Sequence, residues 1–139
     1  MTSTERKQRT ITLTGRRPVT IYEDQWPVIA EASWDDYDNQ HEFQANRKAE
    51  AHLKVRQHAD GRTLVYGAYR YRTQFQGEDD VHAAAGTPLD AGSDDSNIIA
   101  AIRETVDYLS SYESLPDAWQ PDWKMLTDDA IADLPAEKL

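Results

Sequence analysis

The sequence predicts an α+β fold in which an antiparallel sheet of about four or five strands is covered on one face by two or three helices. Two patterns carry this prediction. Residues 50–75 read as a β-hairpin, because apolar and polar side chains alternate before Asp60-Gly61 and a β-branched and aromatic run follows it. Between Ile98 and Leu109, apolar residues recur every three or four positions, as in an amphipathic helix.

The register of the hairpin decides which side chains of its second strand face the core. We prefer a two-residue loop made of Asp60 and Gly61, which buries Tyr66 with Leu53 and Val55. The opposite, basic and aromatic face then carries His52, Lys54, Arg56, Val65, Tyr69 and Tyr71. A three-residue loop with a bulge at Gly61 would shift the second strand by one residue and turn Val65, Tyr69 and Tyr71 inward. Both registers remain open at this point.

The sequence of residues 11–34 predicts two short strands followed by a helix. Ile11 and Leu13 alternate with threonines, and residues 19–22 resume the pattern after a Gly-Arg-Arg-Pro turn. Asp24 is placed to cap a helix over residues 25–34. The polar residues 35–42 predict a solvated loop, and residues 43–47 an extended segment anchored by Phe43.

After the hairpin, residues 76–80 predict an acidic turn and residues 81–85 a further strand. A helix opens at residues 93–96, where acids lie in the favourable first turn, and is closed by Leu115-Pro116. A last short helix is predicted through Leu134, with Thr127 and the acids after it as the cap. Trp119 and Trp123 are interpreted as packing residues.

Composition limits the class of protein. The 139 residues predict one domain, 1–139, with residues 1–9 frayed. There is no cysteine, which excludes disulfides and thiolate chemistry. No apolar run is long enough to span a membrane, and the first ten residues lack the apolar core of a signal peptide, so we expect a cytoplasmic protein.

The net charge of −10 is distributed unevenly. Counting Lys and Arg against Asp and Glu, residues 1–17 carry +4, residues 18–46 carry −7, residues 47–76 carry +5 and residues 77–139 carry −12. An excess of acid argues against duplex nucleic acid as a partner. It permits a basic surface on another macromolecule, or an anion that meets only the hairpin face.

No catalytic, metal or cofactor site is predicted. A phosphate loop, a serine elbow and histidine–carboxylate spacings of known type are all missing from the sequence. Asp36, Asp38 and Gln40 lack the glycine and the final glutamate of a calcium loop. His41-Glu42 begins like a zinc-protease motif, but Ala45 occupies the position of its second histidine.

Four runs carry a resemblance to a known group: ITLTGRRPVTI at residues 11–21, EFQANR at 42–47, RQHADGRTLVYG at 56–67 and FQGE at 75–78. Together they resemble small uncharacterised proteins carried by proteobacterial plasmids, integrative elements and prophages, over most of the chain up to about residue 110. The group has no assigned chemistry, so the resemblance implies no functional residues. It implies a context in which accessory proteins often blunt host defences, as anti-CRISPR and antirestriction proteins do, and several of these are acidic and occupy nucleic-acid sites.

Three functions follow as hypotheses. The first is a non-enzymatic inhibitor or adaptor of a bacterial defence complex, which binds protein through an acidic helical surface made of Glu104, Asp107, Glu113, Asp128, Asp129 and Asp133. The second is a module that binds a nucleotide or single-stranded nucleic acid through Lys54, Arg56, Tyr69, Arg70 and Tyr71. The third is a structural protein that forms a homodimer through its exposed sheet face.

Overall fold

The computed structural model describes residues 6–38, 47–73, 81–111 and 120–136. It has the predicted α+β class, with a two-stranded and a four-stranded antiparallel sheet and two helices packed on the larger sheet. The elements in chain order are β1 (Gln8–Ile11), β2 (Val19–Tyr22), a 3₁₀ turn (Glu23–Gln25), β3 (Val28–Asp38), β4 (Arg47–Gln57), β5 (Thr63–Thr73), β6 (Val81–Leu89), α1 (Asp95–Ser110) and α2 (Trp123–Ala132). In the larger sheet, β3-β4-β5-β6, every strand pairs with its neighbour in sequence.

The helix predicted over residues 25–34 is wrong, because most of this segment belongs to β3. Burial alternates along the strand: Ala30 and Ala32 are buried, whereas Glu31 and Ser33 are exposed. The apolar spacing of this segment favours a helix when the segment is considered alone. In the structure, β4 pairs with β3 over its whole length, and the segment is a strand. Pairing with a distant strand overrides local helix preference here.

The hairpin is confirmed as β4 and β5, but the preferred register is wrong. Val55 pairs with Val65, which is the register of the three-residue loop. Gly61 adopts a φ of 96°, the conformation that a bulge after a tight turn requires. The second strand is therefore turned over relative to our preference, and Tyr69 and Tyr71 face the core.

The two N-terminal strands are confirmed, although β1 begins at Gln8, inside the segment expected to be frayed. β6 extends past the predicted strand, through Gly86 and Pro88 to Leu89. A proline is compatible with this position because β6 is an edge strand, so one side of it needs no ladder hydrogen bond.

Both C-terminal helices are confirmed in kind. The inward side of α1 is apolar except for Thr105, and it carries Ile98, Ala101, Ile102, Thr105, Val106 and Leu109. The second helix starts earlier than predicted, at Trp123, because Asp122 rather than Thr127 caps it. Trp123 packs against Tyr69, with ring centroids 6.1 Å apart, as the packing interpretation requires.

The predicted closure of the long helix at Leu115-Pro116 is wrong, because α1 ends at Ser110 and Ser111 is its C-cap. Other predictions fall outside the described residues: the anchor at Phe43, the acidic turn at 76–80 and the packing of Trp119. The loop predicted over residues 35–42 is wrong for residues 35–38, which belong to β3.

The two faces of the four-stranded sheet carry different layers. The helices cover one face, where a core of alanines and larger apolar side chains includes Leu53, Val55, Tyr69, Ile102, Leu109 and Leu126. The β1–β2 hairpin covers part of the opposite face through a smaller cluster of Ile11, Leu13, Ile21, Trp26, Leu64 and Tyr66. We call these the helical layer and the N-terminal layer.

Thr14 joins the N-terminal layer to the edge strand β6. Its amide N–H donates to the Gly86 carbonyl at 2.9 Å, and its hydroxyl oxygen accepts from the Gly86 N–H at 3.1 Å. A Cβ atom at Gly86 would lie 2.7 Å from the Thr12 carbonyl oxygen. Glycine is therefore required by the close approach of the two backbones.

Candidate functional site

Asp94 fixes the start of α1 and thereby the orientation of its acids. Its carboxylate accepts hydrogen bonds from the Asn97 N–H at 3.0 Å and the Ser96 hydroxyl at 2.6 Å. The Asn97 side chain accepts in return from the Asp94 N–H, which completes a capping box. The hydrogen bond from Ser96 is the main cause of the lowered pKa of Asp94. A charged carboxylate thus lies at the positive end of the helix dipole.

The outer side of α1 combines acids with an aromatic ring. Glu104, Asp107 and Tyr108 are all exposed, and their spacing of three and four residues places them on one face of the helix. The Tyr108 side chain is 46% exposed, an unusual position for a large apolar ring on a helix whose inner side is packed. This face therefore offers both charge and apolar area to a partner.

α2 repeats this arrangement on a smaller scale. Asp122 caps it by accepting from the Met125 N–H at 3.0 Å, and Leu126 then faces the core. Asp128 and Asp129 are exposed, as is Met125. The two helices contact each other. We define the acidic helical surface as Glu104, Asp107, Tyr108, Met125, Asp128 and Asp129.

Asp133 differs from the other predicted acids because it makes a tertiary contact. Its carboxylate accepts a hydrogen bond from the Glu31 N–H at 2.8 Å, which ties the end of α2 to the edge strand β3. We assign it to that contact and leave it out of the acidic helical surface. Glu113 lies outside the described residues.

The tyrosines predicted for the ligand-binding hairpin face are on the other side of the sheet. Tyr69 is fully buried and Tyr71 nearly so, both within the core beneath the helices. Burial raises the pKa of Tyr69 to about 12. The prediction that they share a face with Lys54 is wrong, because the one-residue register shift reverses the strand.

Arg56 is a buried structural residue. Its Nε donates to the Tyr66 hydroxyl at 2.8 Å and its Nη1 to the Trp26 carbonyl at 3.0 Å. Its Nη2 lies 3.8 Å from the Glu23 carboxylate. Glu23 also accepts a hydrogen bond from Arg9, the main cause of its lowered pKa. The guanidinium therefore holds the N-terminal layer on the sheet, as a buried cation must be paired and hydrogen-bonded.

Lys54 and Arg70 do lie on the face opposite the helices, together with His52. The His52 ring is half-buried and meets the Tyr66 ring edge-on, with centroids 6.4 Å apart. Burial is the main cause of the lowered pKa of His52, and the positive charge of Lys54 adds to it. Glu50 and Arg70 pair across the strands on the same face. The charges on the sheet face opposite the helices are thus mixed rather than uniformly basic.

The charges of the two layers have opposite sign. Residues 94–111 and 120–136, which contain both helices, carry eight acids and two bases. Residues 6–27, which contain the N-terminal layer, carry five bases and two acids. The four-stranded sheet separates these two groups of charges, so the helical side of the molecule is acidic and the opposite side carries both bases and acids.

Other site types find no support in the described residues. No group of three or more His, Cys, Asp or Glu among them could hold a metal ion. The helices in these parts of the chain are also too short or too polar to cross a membrane. Comparisons with models of protein families, with curated proteins and with solved structures found no match. The function is therefore argued from geometry and charge.

Proposed function

We propose that this protein is a non-enzymatic binding protein that docks its acidic helical surface on a basic surface of a bacterial defence complex. The observation that carries the proposal is the segregation of charge, with eight acids and two bases in the helical segments. The resemblance to accessory proteins of mobile elements supports the class of target, of anti-CRISPR or antirestriction type. Carboxylates spread over one side can compete with phosphates for the same cationic groups.

Exposed charges alone contribute little affinity, because solvent and salt screen them. The ion pair between Lys124 and Asp128 on α2 illustrates this, since it spans 4.0 Å between highly exposed groups. Tyr108 and Met125 add what the acids lack, since aromatic and methionine side chains are enriched in the buried centres of interfaces. The acids would then govern orientation and association rate, and the apolar side chains the lifetime of the complex.

The opposite charge of the N-terminal layer favours one orientation of approach. A basic target attracts the helical layer and repels residues 6–27, with their five bases. The basic layer would therefore remain outside the interface.

The first test is affinity capture of the tagged protein from a proteobacterial lysate, with and without nuclease, followed by mass spectrometry. We expect a defence effector to be retained after nuclease treatment. Capture that disappears with nuclease, or that retains no such effector, would contradict direct inhibition.

Charge reversals then test the surface against the captured effector. Asp107→Lys should weaken binding strongly, and more at low salt than at high salt. Asp90→Lys, at an exposed position in the turn before α1, changes the net charge equally and should have little effect. Equal losses for the two variants would mean that net charge, rather than the acidic helical surface, determines binding. Tyr108→Ala should increase the dissociation rate with little change in the association rate.

A further inference from the structure

The outer edge of β3 presents backbone groups to solvent. β3 is a terminal strand of the four-stranded sheet. The Glu31 N–H donates to Asp133 and therefore points away from β4. Pairing with β4 continues without a register shift from Ala30 to Asp38. Because N–H and C=O groups alternate sides along an antiparallel strand, those of Ser33 and Asp35 also point outward.

The two edges of this sheet are covered at different places, and the β6 edge is covered from Gly86 onward. On β6, Thr14 takes up both outward groups of Gly86, and Pro88 has no N–H to offer. On β3, the Asp133 carboxylate takes up only the N–H of Glu31. Within the described parts of the chain, the outward groups of Ser33 and Asp35 have no hydrogen-bond partner. β3 thus keeps the backbone template on which a further strand can pair.

The acidic side chains along the β3 edge favour an added strand that carries positive charge. Glu31, Asp35 and Asp36 are exposed, and β3 contains no Lys, Arg or His. A second copy of β3 would bring these acids against one another, which is unfavourable for directly opposed like charges. A strand whose alternate residues are Lys or Arg would instead place cations opposite Glu31 and Asp35, which lie on the same face of β3.

We infer that the edge of β3 from Ser33 onward binds an extended basic peptide segment of a partner by strand addition. Main-chain hydrogen bonds to Ser33 and Asp35 supply affinity, and Glu31 and Asp35, which share one face of the strand, supply the preference for cationic side chains. This site is separate from the acidic helical surface, and the inference does not depend on the proposed function.

The test uses a short synthetic peptide of alternating lysine and valine, titrated into the isotope-labelled protein and followed by nuclear magnetic resonance. We expect the amide protons of Ser33 and Asp35 to shift and to become protected from exchange. Those of Ala32 and Trp34, which point toward β4, should change little. Two control peptides separate backbone from charge: the same sequence N-methylated at alternate residues, and an alternating glutamate–valine peptide. Neither should bind.

A protein variant provides the matched comparison. Ser33→Pro removes an outward N–H without removing a donor from the ladder to β4, and should weaken peptide binding about tenfold or more. Ser33→Ala keeps the N–H and should bind as the parent does. If Ser33→Pro fails to fold, the N-methylated peptide tests the same hydrogen bonds on the intact protein.

The inference is overturned if the lysine–valine peptide does not bind, or if its N-methylated form binds equally well. It is also overturned if the shifts map to α1 and α2 instead of β3, or if the edge pairs only with a second copy of the chain. Asp107→Lys should leave peptide binding unchanged, which separates this site from the proposed defence-complex surface.

Discussion

The two layers on either side of the four-stranded sheet are held by different forces. The helical layer packs on strand surfaces made largely of alanine, such as Ala30, Ala51 and Ala85, so that helices approach closely and bury Ile102 and Leu109 completely. The N-terminal layer has a small apolar cluster and depends on a buried arginine, Arg56, for its attachment. The first layer is therefore stabilised mainly by apolar burial, the second by polar contacts whose loss leaves buried groups unsatisfied.

The two layers also differ in how many of their charged side chains are available to a partner. The acids of the acidic helical surface lie on the outer side of the helices, away from the packed core, where substitution costs little stability. Two of the five bases in residues 6–27 make internal contacts instead, Arg6 with Asp24 and Arg9 with Glu23. The acids of the acidic helical surface are thus available to a partner, whereas part of the basic charge is committed to the fold.

The largest effect is expected from a cavity in the helical layer. Ile102→Ala removes a fully buried side chain and should lower the free energy of unfolding by about 2–5 kcal/mol. Ile99→Ala, at a half-buried position on the same helix, should cost much less. Urea denaturation measures both. Similar losses would indicate that α1 does not pack through the stripe containing Ile102.

Removing the buried guanidinium should have the next largest effect. Arg56→Met leaves the Tyr66 hydroxyl and the Trp26 carbonyl without their donor and should cost about 2–4 kcal/mol. The exposed Arg62 gives a control, since Arg62→Met should cost under about 1 kcal/mol. Denaturation monitored by tryptophan fluorescence would report both. A loss for Arg56→Met no greater than for Arg62→Met would contradict the role of polar contacts in this layer.

A smaller effect is expected where the N-terminal layer meets β6. Gly86→Ala introduces a methyl group 2.7 Å from the Thr12 carbonyl oxygen and should cost about 1–3 kcal/mol as the backbones separate. Ala84→Ser on the same strand adds a group of similar size at a half-buried site and should be nearly neutral. Hydrogen exchange at Thr14 should become faster in Gly86→Ala. Unchanged exchange there would show that the close approach does not hold this layer.

The smallest effect concerns pH. Because burial lowers the pKa of His52 below its ordinary value of 6.5, the unfolded chain binds a proton more readily than the folded protein. Stability from this residue is present above about pH 6.5 and is lost as the pH falls through and below that value. His52→Gln should reduce this dependence, and His82→Gln, at an exposed position, serves as the control. Thermal unfolding between pH 5 and 8 would measure it. An unaltered dependence in His52→Gln would exclude His52 as its source.

Local signals account for the elements that could be predicted from the sequence. α1 has its own cap at Asp94 and a regular apolar stripe, so its identity does not depend on distant residues. The sequence does not predict β3, because Trp26, Ile29 and Ala30 have helix-like spacing and only the presence of β4 makes the segment a strand. A strand that depends on pairing with a distant strand is not identified correctly from the local sequence pattern.

The hairpin register and the burial of Arg56 likewise cannot be predicted from the local sequence. Asp60-Gly61 is compatible with two loop lengths, and the choice reverses which face Tyr69 occupies. Arg56 lies on the polar side of an alternating strand, and nothing near it in sequence indicates burial. Its partners, Trp26 and Tyr66, meet it only in the folded protein. The exposure of the helical acids can be predicted from the sequence, because it follows directly from helix periodicity.

The order of strands in the larger sheet has a kinetic consequence. Because β3, β4, β5 and β6 lie in space as they follow in sequence, each pairing closes only a local loop, and α1 follows directly on β6. The contacts Thr14–Gly86 and Glu31–Asp133 join residues 72 and 102 positions apart. We expect the four-stranded sheet to nucleate folding, and the N-terminal layer and α2 to dock on it late. Pulse-labelling during refolding should protect Leu53 before Gly86 and Glu31; simultaneous protection would indicate a single concerted step.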